Sequence, residues 1–232
     1  MRNTKLKVIS LLILVAFPTT AKRSGGGNPT PCSPCVLSLV AKDWELSTWV
    51  SSVPTIPVKD TSTGALEFSF PQASTNTWAA YLTYYTAKPY DISANHTLST
   101  TVQVDVTGSP TFNYMSESFN TCVVPASARP MIWGAGTTAL PDGRWWSDNV
   151  VYTIVPGTDT LTVSLDPNIN SWSNSNGQIA TEDADTLAAF QAALKSTQYL
   201  ALTFGGGCYY GHGVNVSGGT AEFTLLTYGL FK

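Results

Sequence analysis

The stretch 200–226, LALTFGGGCYYGHGVNVSGGTAEFTLL, decides how this chain reads. Leu200, Leu202 and Phe204 alternate with small or polar residues. Five glycines then fall within nine positions (Gly205, Gly206, Gly207, Gly211, Gly213), and Ala221, Phe223 and Leu225 resume the alternation. Alternation of period two marks a half-buried strand, because successive side chains point to opposite faces. Glycine at this density belongs where backbone takes positive φ or comes close to another backbone or a ligand. The stretch therefore predicts two strands joined by a permissive connection that carries Cys208, Tyr209, Tyr210 and His212.

Outward from it the same alternation recurs. It is seen in Leu66–Phe68–Phe70, Trp78–Ala80–Leu82–Tyr84, Leu98–Thr100–Val102–Val104–Val106, Phe112–Tyr114, Met131–Trp133, Tyr152–Ile154 and Leu161–Val163–Leu165. Gly108-Ser-Pro, Pro141-Asp-Gly, Pro156-Gly and Asp166-Pro punctuate the runs as turns. Short, regularly interrupted strands predict an all-β fold, an antiparallel β-sandwich of jelly-roll type. One segment departs from the rhythm. Thr181 to Lys195 places Leu187, Phe190 and Leu194 at helical spacing, with acids in its first turn and Lys195 in its last, as the helix dipole favours. It reads as a packed connection with a solvated charged face.

At the other end, Met1 to Ala21 has the parts of a secretory signal. Arg2, Lys5 and Lys7 form the basic start, Val8 to Phe17 the apolar core, and Thr19-Thr20-Ala21 a small-residue end. The apolar run falls short of the about 20 residues a bilayer span needs, and no second run follows, so no transmembrane segment is expected. The organisation expected is a signal peptide over 1–21, a Pro/Gly-rich linker over 22–34 and one domain over 35–232. The protein is expected to be secreted, or held in the periplasm or at the surface of a bacterium. The formal net charge is −3, with 12% charged residues. Phosphate binding needs clustered Lys and Arg. None cluster here, which argues against nucleic acid as a partner.

An even number of cysteines in an exported chain reads first as disulfides. Cys32 and Cys35 lie close together in the Pro-rich PTPCSPC, which favours a local bridge there and a second one between Cys122 and Cys208. Zinc is the alternative, although only two cysteines have ligand spacing and neither histidine is near them in sequence.

The segments PYDISANHTLSTTVQV (89–104), GRWWS (143–147) and TLTVSLDPNINSWSNSNG (160–177), followed by a helix and a closing LALTFGGG strand, resemble galactose-binding-like jelly rolls. Secreted carbohydrate-binding modules and laminin-type domains belong to that group. The resemblance implies the sandwich fold and sugar binding. Such domains often carry a structural calcium near the first strands. Here only Asp43, Glu45 and Asp60 fall in that region, without a compact acidic loop, and no cofactor or metal is expected.

Trp145 and Trp146 are adjacent, so in a strand one enters the core and the other is expected exposed or half-buried, where a flat ring can stack on a sugar. Arg144 beside them could bond sugar hydroxyls or pair with Asp142 or Asp148. Trp133 alternates with Met131 and reads as core. Tyr209, Tyr210 and His212 offer polar tips on apolar bodies beside glycine-rich backbone, which suits a hydroxyl-rich ligand. The ligand-binding set read from the sequence is thus Arg144, Trp145, Trp146, Tyr209, Tyr210 and His212, on one shallow surface.

An enzyme reading has no motif to rest on. G-x-S-x-G and H-E-x-x-H are absent, and His96 and His212 lack metal-ligand spacing. Glycoside hydrolysis would need two opposed carboxylates, for which Glu222 and Glu117 are the strand-like candidates. No catalytic residue is assigned. The leading expectation is a secreted, non-catalytic module for carbohydrate or another extracellular polymer. Alternatives are a structural or adhesive surface protein with protein partners, and a carbohydrate-active enzyme on the same scaffold. Oligomeric state stays open. Asn95-His-Thr and Asn215-Val-Ser match glycosylation sequons.

Overall fold

A computed structural model describes residues 28–49, 53–115, 125–135, 143–148, 150–206 and 211–232. The principal elements are β1 (Trp44–Thr48), β2 (Leu66–Ser69), β3 (Ala79–Asp91), β4 (Thr97–Tyr114), β5 (Ser127–Gly134), β6 (Arg144–Ser147), β7 (Gly157–Ser164), β8 (Trp172–Asn174), α1 (Ala184–Lys195), β9 (Thr197–Gly205) and β10 (Val214–Phe231). The hydrogen-bonded order is β7–β4–β10–β3–β9–β5–β6–β8, with β1 beside β3 and β2 beside β10. Between β10 and β3 the ladder rests on one pair, Val214 opposite Ala79. It folds over there into two antiparallel layers: β7–β4–β10–β2, and β1–β3–β9–β5–β6–β8. This is the antiparallel sandwich read from the alternation.

The core lies between the layers. Phe68 and Phe223 of the first layer meet Phe204 of the second edge-on, with ring centroids 5.4 and 5.1 Å apart. Trp44 packs across the gap on Tyr228, whose hydroxyl donates to the Ala201 carbonyl at 3.3 Å. Burying each side chain of this size contributes about 1.5–3 kcal/mol relative to leaving it in water. The helix closes one end. Asp183 caps it by accepting from the Thr186 amide at 2.7 Å, so α1 starts at Ala184, three residues inside the segment read from the sequence. Phe190 on its buried side packs on Trp145 and Trp172.

Two local readings are corrected. Gly108-Ser-Pro is not a turn, since β4 runs straight through it. The glycines there serve a bulge. The β10 register slips between Ser217 and Gly219, with Gly218 at φ +76°. A Cβ on Gly219 would lie 2.5 Å from the Thr107 carbonyl oxygen. In β3 the inward set is Ala79, Leu82 and Tyr84, not Trp78–Ala80–Leu82–Tyr84. The β1–β3 register shifts between Ser47 and Thr48, and this bulge leaves Ala80 and Tyr81 together in the small cluster on the opposite face.

The amino-terminal end of the described chain is tied to both layers. Thr30–Pro31 pairs in parallel with Tyr90–Asp91 of β3, and Cys35–Val36 pairs with Gly229–Leu230 of β10. Cys32 and Cys35 are joined by a disulfide between these two attachments. The sheet contacts thus begin inside the stretch read by composition as a linker. The signal segment 1–21, Cys122 and Cys208 lie outside the described residues. Among the described residues no helix is long and apolar enough to cross a membrane.

Both sequon asparagines are buried. Asn95 donates its amide to the Ile92 carbonyl and, over a shorter contact, to Cys32. Asn215 accepts from Asn113 at 3.1 Å. In the folded chain they are packing residues, and neither has room for a glycan.

Candidate functional site: the outer face of the second layer

Along β3, β5, β6 and β9, every side chain that does not enter the core emerges on the outer face of the second layer. Strand register arranges these residues in rows. Tyr199 of β9 lies directly opposite Tyr85 of β3 on one side and Trp133 of β5 on the other. Trp133 in turn lies opposite Arg144 of β6. The first row is therefore Arg144–Trp133–Tyr199–Tyr85, one residue from each of four neighbouring strands. Two residues further along comes Trp146–Met131–Ala201–Thr83–Glu45. The third row is Arg129–Thr203–Tyr81–Ser47.

The first row is a band of rings. Trp133 and Tyr199 have centroids 4.8 Å apart with planes 32° apart, and Tyr199 and Tyr85 are separated by 5.2 Å and 49°. Tyr85 is 38% exposed, while Trp133, Tyr199 and Arg144 are half-buried. Strands spaced as in any sheet make the band about 10 Å long from Trp133 to Tyr85, enough for more than one sugar ring. The Arg144 guanidinium lies 5.2 Å from the Trp133 ring centroid and 5.6 Å from that of Trp146, within cation–π range. Beside the band, Ala201 forms a small floor. Burial pushes the Tyr199 hydroxyl upward from its ordinary pKa, with Tyr85 and Glu45 adding to it, so it stays a neutral donor and acceptor.

Four of the six residues proposed from the sequence, Arg144, Trp145, Trp146 and His212, are among the described residues. Trp145 is fully buried on the core side against Phe190 and cannot meet a ligand. The physical reason is the helix, which covers that side of β6. Trp146 faces outward, as alternation requires, but it is 5% exposed rather than open, packed with Met131, Tyr81 and Ala201. Arg144 shares its face. His212 stacks on Trp49 at 4.3 Å and 12°, and Trp49 packs against the same cluster as Trp146. Gly211, at φ +75°, leaves no room for a side chain over the Tyr81 hydroxyl. The described end of the glycine-rich connection thus sits on this face. Tyr209 and Tyr210 lie outside the described residues.

Trp133 is corrected from the core to the outer face: Ile132 is the inward residue, and Trp133 points out beside Arg144. Tyr85 and Tyr199 were not singled out from the sequence. The signal for Tyr199 was present, since Leu200 and Leu202 point inward and Tyr199 must then point out. Glu222 lies on β10, opposite Asp105 and Ser69, away from the aromatic band, and Glu117 is outside the described residues. Asp60 accepts from the Ala41 amide at 2.6 Å. Among the described residues no three His, Cys, Asp or Glu side chains gather as a metal site would require.

Fold and face together define a two-layer antiparallel sandwich with an aromatic band across one outer surface. Several solved structures are similar to the chain at low identity. One is a xylan-binding module, CBM15, at 11% identity and TM-score 0.40, covering 86% of this chain and 98% of that one. Another comes from work on endo-acting O-glycanases with which human gut microbiota initiate mucin breakdown, at 10% identity and TM-score 0.45, covering 85% and 98%. A third is a carbohydrate-binding module specific for non-crystalline cellulose, CBM28, at 11% identity and TM-score 0.42, covering 88% and 97%. No protein-family profile and no curated protein matches the chain.

Proposed function

We propose that this protein is a secreted, non-catalytic module that binds a carbohydrate polymer along the outer face of its second layer. The observation that carries the reading is the row Arg144–Trp133–Tyr199–Tyr85. Flat rings offer stacking surface for the apolar faces of sugars, and the polar tips of tyrosine and arginine offer hydrogen bonds to hydroxyls. Few other ligands ask for that combination on an open sheet rather than in a pocket. The non-catalytic reading is supported by the position of Glu222, the carboxylate singled out from the sequence, which lies on the other layer away from the band.

Native gels cast with soluble polysaccharides, run alongside an assay for reducing-end release, test this. The expected result is retardation by at least one polymer with no release. Trp133→Ala and Tyr199→Ala should each weaken binding by about 1–3 kcal/mol, as loss of an interface anchor does. Variants that stay folded and bind as the parent would move the site elsewhere. Release of reducing ends would make the protein an enzyme.

A further inference from the structure

Arg144 occupies an unusual position for a guanidinium. It is half-buried between the Trp133 and Trp146 rings at the end of the aromatic band. The main influence on its charge is burial, which lowers its pKa; Tyr81 opposes this, and no carboxylate among the described residues does. Its buried Nε has no hydrogen-bond partner among the described residues, and neither has the buried indole Nε1 of its neighbour Trp146. Buried N–H donors are almost always paired, and leaving one without an acceptor is costly, the more so beside a charge. Among the described residues, the charged ones sharing the outer face are Glu45 three strands beyond Met131, Arg129 in the third row, and Asp148 just past β6. Arg129 already donates to the Asp148 and Ser147 carbonyls.

We propose that Arg144 selects for acidic polysaccharides, its guanidinium taking the carboxylate of a uronate unit while the Trp133, Tyr199 and Tyr85 rings carry the adjoining sugars. The planar fork of arginine matches a carboxylate with two parallel bonds, and aromatic faces hold it in that plane without neutralising it. A neutral hydroxyl would answer one donor and leave the charge uncompensated. This inference rests on the binding face proposed above and adds the chemical class of its ligand.

The test pairs each acidic polymer with its own neutral form. Polygalacturonate, alginate and hyaluronan are compared with their carboxyl-reduced derivatives, and dextran sulfate serves as a sulfated control. The parent should bind at least one polyuronate about tenfold or more tightly than its reduced form, the difference a charge-assisted bond supplies. Arg144→Gln should erase that preference, and Arg144→Lys should restore only part of it, since lysine keeps the charge without the fork. The melting temperature of each variant shows whether it is folded. Equal binding of acidic and reduced polymers, a preference surviving in folded Arg144→Gln, or binding of dextran sulfate without any polyuronate would each overturn the inference. In those cases sensitivity to Trp133→Ala would leave the binding face standing. No binding to any acidic or neutral polymer would remove both.

Discussion

Tryptophans on opposite faces of the second layer have different fates here, and the difference can be measured. Trp145 is fully buried against Phe190, which packs in turn on Trp172, so Trp145→Ala should cost about 3–5 kcal/mol in urea unfolding, the range for emptying a large core site. Trp133→Ala, on the half-buried outer face, should cost clearly less and act on binding instead. Equal losses in the two variants would contradict the assignment of faces. Tyr84 offers a pH signature. Burial first, then a hydrogen bond and charge from Tyr90 and the charge of Asp43, push its hydroxyl from 10.0 up to about 12. Above pH 10 the unfolded chain releases this proton while the folded chain keeps it. The contribution is whole below the unfolded value and is lost as pH rises through the folded one. Urea midpoints should hold up to about pH 10 and fall from there to about 12. Tyr81 and Tyr228, raised chiefly by burial, act in the same direction. A midpoint unchanged across that window would count against the packing of these tyrosines.

Among the elements, β4 and β10 form the longest ladder, and its bulge depends on a glycine. Gly219→Ala sets a methyl 2.5 Å from the Thr107 carbonyl oxygen and 3.0 Å from the Pro110 nitrogen, neither of which is a flexible side-chain end. Overpacking of this kind costs about 1–3 kcal/mol. Hydrogen exchange should locate the loss in amides around 105–112 and 216–222, and exchange unchanged there would show that the bulge has slack. The helix is a second case. Removing the cap in Asp183→Ala frees the Thr186 amide and should lower the thermal midpoint. Because the cap is a carboxylate held below its ordinary pKa by that hydrogen bond, its contribution is present above pH 3.8 and lost as pH falls through the lowered value. The midpoints of parent and variant should therefore converge in acid; a constant gap down to pH 2 would contradict the cap.

Across the whole molecule, the segment 30–36 ties one layer to the other. It hydrogen-bonds β3 through Thr30–Pro31 and β10 through Cys35–Val36, with the disulfide at the crossing. A bridge spanning so few residues restricts the unfolded chain little, so Cys32→Ser with Cys35→Ser should cost about 2 kcal/mol or less on the loop-entropy estimate. A much larger loss, with layer-wide exchange, would show that the bridge holds the layers together rather than trimming one edge.

By itself the sequence determined that the chain alternates into strands and carries one helix within 181–195, and it favoured a local bridge between Cys32 and Cys35. Each of these is written locally, in period, in the charges at the helix ends and in spacing. It also made Tyr199 an outward residue, because Leu200 and Leu202 claim the core. Tertiary structure decided the rest. In β5 both Met131 and Ile132 are buried, one on each face, so apolar character no longer reports direction and Trp133 read as core. In β3 an extra residue at Ala80–Tyr81 reverses the phase, and only the pairing with β1 reveals it. The row that carries the proposed function joins positions 85, 133, 144 and 199. No local period relates them, because strand pairing across long separations is fixed by how two layers bury their faces against each other.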